Sequence, residues 1–286
     1  YRLLYELLTA KGIAHRNNVH ISSPVMRSQL LLAHCPEYID RFISGQMPES
    51  ECKQMGLQWS ELLVKRTLTA VGGTLLTCRL AATYGMACHL AGGTHHSFYD
   101  KGAGFCVFND LAIAALNLLR TGTANRVLII DCDVHQGDGT AAILKSETNC
   151  FTCSVHGASN YPFDKQTSDM DVEIPRGTTD KTYLKHIDDT LDEIEKRFDP
   201  DFIIYDGGSD VHMDDRLGHL QISDKGLQKR DHKILSWAAS KSVPIACVIG
   251  GGYDHNHQAL AARHALLPET AQSVFRAHFT STPATN

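Results

Sequence analysis

Residues able to do acid–base or metal chemistry sit at the ends of five short apolar runs. Ala91-Gly92-Gly93-Thr94-His95-His96 follows Met86 to Leu90, and Asp131-Cys132-Asp133-Val134-His135-Gln136-Gly137-Asp138-Gly139 follows Arg126 to Ile130. Ser154 and His156 close the run from Cys150, and Asp206-Gly207-Gly208-Ser209-Asp210 follows Phe202 to Tyr205. Gly250-Gly251-Gly252-Tyr253 follows Val243 to Ile249. Folding alone gives no reason for such runs to end in histidines, carboxylates and a tyrosine. If the strand before Asp131 keeps its pleat, Asp131, Asp133 and His135 share one face, because alternate strand residues do. A carboxylate and an imidazole two apart, joined by a carboxylate such as Asp210, make a three-ligand site open to water, the usual arrangement for catalytic zinc. The competing reading leaves Asp131 capping a turn, with Asp133 and His135 in solvent. Water at such a site needs a base of near-neutral pKa, and His95 and His96, oriented by Asp131 and Asp138, meet that need. The glycines at 250–252 lack the lysine of a phosphate-binding loop. They suit a backbone that approaches a ligand while aiming the phenol of Tyr253.

The runs themselves define the elements that must position these groups. Continuous apolar runs, as opposed to alternating ones, suit parallel strands covered on both faces. Helices are expected over Gln58 to Tyr84, Asp110 to Arg120, Lys181 to Phe198 and Lys225 to Ser240, with Asn109 and Ser223 as N-caps of the second and fourth. In the third, Tyr183, Ile187, Leu191 and Ile194 recur on one face. The first 57 residues read as mostly helical, and the tail from Pro268 has little pattern. The expectation is one α/β domain over residues 1–286, a mostly parallel sheet flanked by helices on both faces. In such sheets ligands bind beyond the carboxyl ends of the strands, where the reactive residues fall.

Composition removes other classes of function. With 27 basic against 32 acidic residues and a net charge of −5, the chain has no basic footprint for nucleic acid. Its longest nearly unbroken apolar stretch, Leu111 to Leu119, is far short of the ~20 residues that span a bilayer. Nine cysteines, mostly among apolar neighbours, read as buried thiols of a reducing compartment, cytoplasmic or nuclear. Cys150 and Cys153 lie three apart in a strand, so they face opposite sides and hold no common metal.

GGTHH at 92–96, GFC at 104–106, DCDVHQGDG at 131–139, GGSD at 207–210, RLGHLQIS at 216–223 and GGGY at 250–253 occur in one order. Together they resemble the zinc-dependent histone deacetylase family and its arginase-deacetylase fold, nearest the class IV and bacterial members. The resemblance implies Asp133, His135 and Asp210 as zinc ligands, with Fe²⁺ able to use the same set. It pairs His95 with Asp131 and His96 with Asp138, and makes Tyr253 the group that polarises the acyl carbonyl. Phe105 and Tyr161 would wall an acyl-lysine tunnel, Leu217 would flank it, and the Gly104 carbonyl would accept the substrate amide N–H. Gly251 and Gly252 would bring backbone close to the substrate. A potassium ion would fall to backbone carbonyls of Asp131, Asp133, His135 and Ser154, with the Asp131 and Ser154 side chains. The implied reaction is hydrolysis of an acyl-lysine in a protein or peptide. A small-molecule amidohydrolase acting on acetylpolyamines and a catalytically silent metal-containing binding module are the alternatives; oligomeric state is left open. The family's first strand is expected ahead of Tyr1. Gln136 stands where many members have a second histidine, outside the ligand set. Thr94 replaces a common aromatic residue, which suggests a pocket extending past acetyl.

Overall fold

The computed structural model describes residues 1–279. Helices α1 (Arg2–Ala10), α2 (Arg27–Leu30), α3 (Pro36–Ser44) and α4 (Glu49–Met55) precede the long α5 (Glu61–Tyr84). Then come β1 (Met86–His89), α6 (Asp110–Arg120), β2 (Val127–Asp131), α7 (Asp138–Leu144), β3 (Cys150–Gly157) and β4 (Met170–Ile174). The chain continues through α8 (Asp180–Arg197), β5 (Phe202–Asp206), α9 (Asp224–Ser240), β6 (Ile245–Val248) and α10 (His257–Phe279). The strands form one sheet in the order β1-β6-β5-β2-β3-β4, with every pair parallel.

Parallel pairing needs crossover connections, and these lay helices over both faces of the sheet. Leu128, Ile130, Ile203 and Tyr205 point into a core shared with α1, α8, α9 and α10. Val127, Ile129, Phe202 and Ile204 point the other way, into a core shared with α3, α5 and α6. Because both faces are covered, the central strands read as unbroken apolar runs. Helix α8 buries Tyr183, Ile187, Leu191 and Ile194, each aliphatic side chain contributing about 1.5–3 kcal/mol. Asn109 Oδ1 accepts the Ala112 N–H at 2.9 Å and Ser223 Oγ accepts the Gly226 N–H at 3.2 Å, so both act as the expected caps.

Three features depart from expectation. Strand β4 lies at the sheet edge with Asp171 and Glu173 exposed, so its alternating pattern lacks the continuous run of a central strand. Strand β2 stops at Asp131, so the pleat does not carry Asp133 and His135; they lie on the loop that follows. Helix α10 continues through Pro268, where little pattern was expected. A proline removes one helical N–H, but Ala261, Ala265, Leu267, Ala271 and Val274 bury this helix in the core against α1 and α9. Its stripe is largely alanine, a weak hydrophobic signal. Residues 280–286 of the same tail lie outside the described residues.

From β2 the chain moves outward to β3 and β4, then returns to the opposite side of β2 at β5. The carboxyl ends of β2 and β5 therefore flank a topological switch point, where open α/β sheets form their binding crevice.

Candidate active site

The loop after β1 turns through Gly92 and Gly93, at φ +87° and +85°. Asp110, in the first turn of α6, fixes the turn. Its carboxylate accepts the N–H groups of Gly93 (3.1 Å) and Thr94 (2.7 Å) and the Thr74 hydroxyl (2.5 Å). The Asn109 amide donates to the carbonyls of His95 (3.2 Å) and Ser97 (3.1 Å). So held, His95 donates from Nδ1 to Asp131 Oδ2 at 2.6 Å and His96 from Nδ1 to Asp138 Oδ1 at 2.6 Å. Burial works against a charge on His95, yet the Asp131 and Asp133 carboxylates outweigh it and hold the imidazole well above its ordinary range. Burial, with His95 alongside, pushes His96 down to about 4. The surroundings thus shift two adjacent histidines in opposite directions.

Asp133, His135 and Asp210 each offer one ligand atom, and these lie within 4.8 Å of one another in a fully buried group. His135 Nδ1 is 2.9 Å from Asp133 Oδ1 and 3.1 Å from Asp210 Oδ2. Backbone amides orient the carboxylates: Gly251 N–H donates to Asp133 Oδ2 at 2.7 Å and Val134 N–H to Asp210 Oδ1 at 2.8 Å. A Cβ at Gly251 would collide with the Oδ2 atoms of both aspartates, so only glycine lets the backbone come this close. Burial, with Asp133 beside it, pushes Asp210 up to about 7. Behind the group, the buried Arg230 guanidinium donates to the carbonyls of Cys132 (3.3 Å), Gly208 (2.7 Å) and Gly207 (3.0 Å) and pairs with Asp231 at 2.9 Å. It ties the loop after β2 to the loop after β5. One imidazole and two carboxylates with oriented second partners are a donor set suited to zinc or ferrous iron.

Aromatic side chains surround this group. The Tyr253 ring lies 6.3 Å from that of His135 and 6.1 Å from that of Phe105. Tyr161 lies 4.9 Å from His96 and 6.4 Å from His135, ring to ring. Tyr253 is anchored through its N–H, which donates to Asp215 Oδ2 at 2.6 Å, and burial raises its phenol above the ordinary range. Phe105 is 50% exposed, at φ +64°. Gly104 packs on the His96 ring, where a Cβ would collide. Leu217 is half-exposed, and its carbonyl accepts the Asn160 amide at 2.8 Å, beside Tyr161. Gly252 lies against Ser209 and His264. The Thr94 hydroxyl sits 2.6 Å from the Phe108 carbonyl and 2.7 Å from Asp110 Oδ1, which ties it to α6. Asp131 and Ser154 are register partners, with Ser154 Oγ 3.0 Å from His156 Nδ1.

A histone deacetylase domain matches residues 1–267. The chain belongs to the histone deacetylase family. An uncharacterised protein of Picosynechococcus sp. is 43% identical over 96% of this chain and 92% of its own length. Histone deacetylase 2 of Arabidopsis thaliana is 36% identical over 64% of this chain; the chain spans 48% of that relative. The crystal structure of a histone deacetylase homologue from Aquifex aeolicus superposes with a TM-score of 0.81 at 21% identity, covering 99% of this chain and 85% of the other. Membership makes the protein a hydrolase of a metal-dependent family, with the arginase-deacetylase fold. No helix among the described residues is long and apolar enough to cross a membrane.

Four further residues of this histone deacetylase homologue shape its site without belonging to any of the sequence motifs that carry the family resemblance. Asp110 looked like a helix residue, although its place beside the Asn109 cap was a signal that it faces the His95 loop. Asp215 and Arg230 act on backbone far away in sequence, and no local pattern marks them. Asp206 ends an apolar run, which was visible, but what it faces was not.

Proposed function

We propose that this chain hydrolyses acyl amides, chiefly the acyl group on a lysine side chain of a protein or peptide, with residues 1–286 acting as one catalytic domain. The observation that carries this is the convergence of an imidazole held neutral, His96, and a phenol that keeps its proton, Tyr253, on the Asp133–His135–Asp210 group. Zinc held by those three residues would supply Lewis acidity toward the acyl carbonyl and toward water. His96, with Nδ1 committed to Asp138, presents Nε2 as the general base that takes a proton from the attacking water. Tyr253 donates to the acyl oxygen as negative charge develops there. The proton gathered by His96 passes to the leaving amine, and His95, held charged by Asp131, adds a fixed positive charge beside it. Phe105 and Tyr161 shield the aliphatic stem of the lysine from water, Leu217 borders it, and the Gly104 carbonyl accepts its amide N–H. Asp131 and Ser154, side by side in register, offer oxygens of the kind potassium takes.

The test is a panel of acetyl-, octanoyl- and myristoyl-lysine peptides with acetylpolyamines, offered to purified zinc-loaded protein. Lysine deacylation that stops on chelation is expected. Cleavage of acetylpolyamines alone would replace the lysine reading with a small-amide one, and no cleavage of any substrate by metal-loaded protein would leave a silent binding module.

A further inference from the structure

Among the described residues, Asp206 is the one carboxylate at this site without a hydrogen-bond partner. It closes β5, where its register partner is Asp131 at the end of β2. Partners in register on neighbouring parallel strands project from the same face, here the side of α5 and α6. Both Asp206 oxygens are buried and have no hydrogen-bond partner among the described residues. Its neighbours are all served. Asp131 accepts from His95 and the Asp133 N–H, and Asp133 from His135 and the Gly251 N–H. Asp138 accepts from His96 and the Gly139 N–H, and Asp210 from His135 and the Val134 N–H. Glycines at 93 and 250, both at positive φ, line the carboxylate, and a Cβ at either would collide with it. Ionising a buried carboxyl that has neither a donor nor a cation is strongly disfavoured, and a cation held between Asp206 and its register partner Asp131 would offset that cost.

Asp206, Asp131 and His95 each place one ligand atom within 4.8 Å of the others, all buried. This is the same donor set, one imidazole and two carboxylates, as Asp133, His135 and Asp210. The two groups adjoin, with His95 Nε2 3.8 Å from Asp133 Oδ1. The potassium position argued above lies on the Ser154 side of Asp131, whereas Asp206 lies on the opposite side, in β5. We propose that His95, Asp131 and Asp206 form a second site for a divalent transition-metal ion, next to the first. It is the weaker site, because His95 must release a proton to solvent and give up its hydrogen bond to Asp131 before it can hold the ion. An ion there withdraws His95 from its place beside the leaving amine, so filling the site lowers turnover. The proposal rests on the first group holding a metal, and the test separates the two.

The protein is dialysed against buffered Zn²⁺ at fixed potassium, and bound zinc is counted for wild type, Asp206→Asn and Asp210→Ala. Two equivalents are expected in wild type, the second bound more weakly. Asp206→Asn should keep only the tight one and Asp210→Ala only the weak one. Saturation of wild type at one equivalent, or two equivalents persisting in Asp206→Asn, overturns the second site. Absence of any bound zinc overturns the first group instead. Loading wild type with Mn²⁺ alone covers the case in which a variant fails to fold: a spin-coupled pair is expected, and signals from isolated ions only would overturn adjacency. The rate should fall by about 10²-fold as the second equivalent binds, the scale of lost acid–base assistance. An unchanged rate would remove His95 from the ligand set.

Discussion

Replacing Tyr253 by Phe isolates one hydroxyl. The residue is held by its backbone, with its N–H donating to Asp215 Oδ2 at 2.6 Å and its carbonyl accepting from Arg216 at 3.2 Å, and the substitution leaves both bonds in place. The ring stays packed 6.1 Å from Phe105 and 6.3 Å from His135. What is lost is a donor whose proton burial retains, because the phenol pKa is raised. Loss of one preorganised oxyanion donor costs about 2.7–4 kcal/mol, roughly 10²–10³ in kcat. The expected result is that fall in kcat on an acyl-lysine peptide, with KM within a few-fold, unchanged tight metal content and an unchanged thermal midpoint. Steady-state kinetics beside metal analysis reads all of these. A near-wild-type kcat would refute the role of Tyr253, and loss of metal together with activity would show that the residue supports the ligands instead.

Asp210→Ala removes the one ligand that comes from the loop after β5, and elemental analysis should find the tight metal gone and hydrolysis with it; retention of both would sink the ligand assignment. With His96 pushed down to about 4, the base stays unprotonated through neutral pH, and in protein kept metal-loaded its protonation should lower kcat/KM as pH drops toward that value. The Asp138 carboxylate raises the His96 pKa, so Asp138→Asn should move this acidic limb to lower pH while lowering the plateau; a shift to higher pH would contradict the pairing. If Thr94 lies at the inner end of the acyl-lysine tunnel, as the family resemblance implies, its small side chain leaves room there, and each further buried CH₂ contributes up to ~0.8 kcal/mol. Octanoyl-lysine should then exceed acetyl-lysine in kcat/KM, and Thr94→Phe should reverse the order; preference for acetyl in both proteins would show the space already filled.

By itself the sequence determined the parallel α/β architecture, because buried central strands must be apolar on both faces and so stand out as runs. It also determined which residues meet at one edge, since parallel strands all deliver their carboxyl ends to the same side of the sheet. His95, His96, Asp133, His135, Asp210 and Tyr253 were legible for that reason, as were the caps Asn109 and Ser223, whose signals are local. The sequence also grouped Asp133 and Asp210 with His135 and paired Asp131 with His95; only the tertiary structure decided that Asp206 joins Asp131 and His95. Strand β2 ends at Asp131, so that residue turns to His95 and Asp206 while Asp133 and His135 turn to Asp210. The meeting of Asp206 with Asp131 depends on β5 lying beside β2, a neighbour relation that no local pattern encodes. The supports from Asp110, Asp215 and Arg230 escaped notice on the same ground, because each acts on backbone brought to it by the fold. Edge strand β4 and the alanine-faced α10 were obscured differently: half-burial and small side chains leave little hydrophobic contrast, and packing against neighbours supplies the stability that periodicity did not announce.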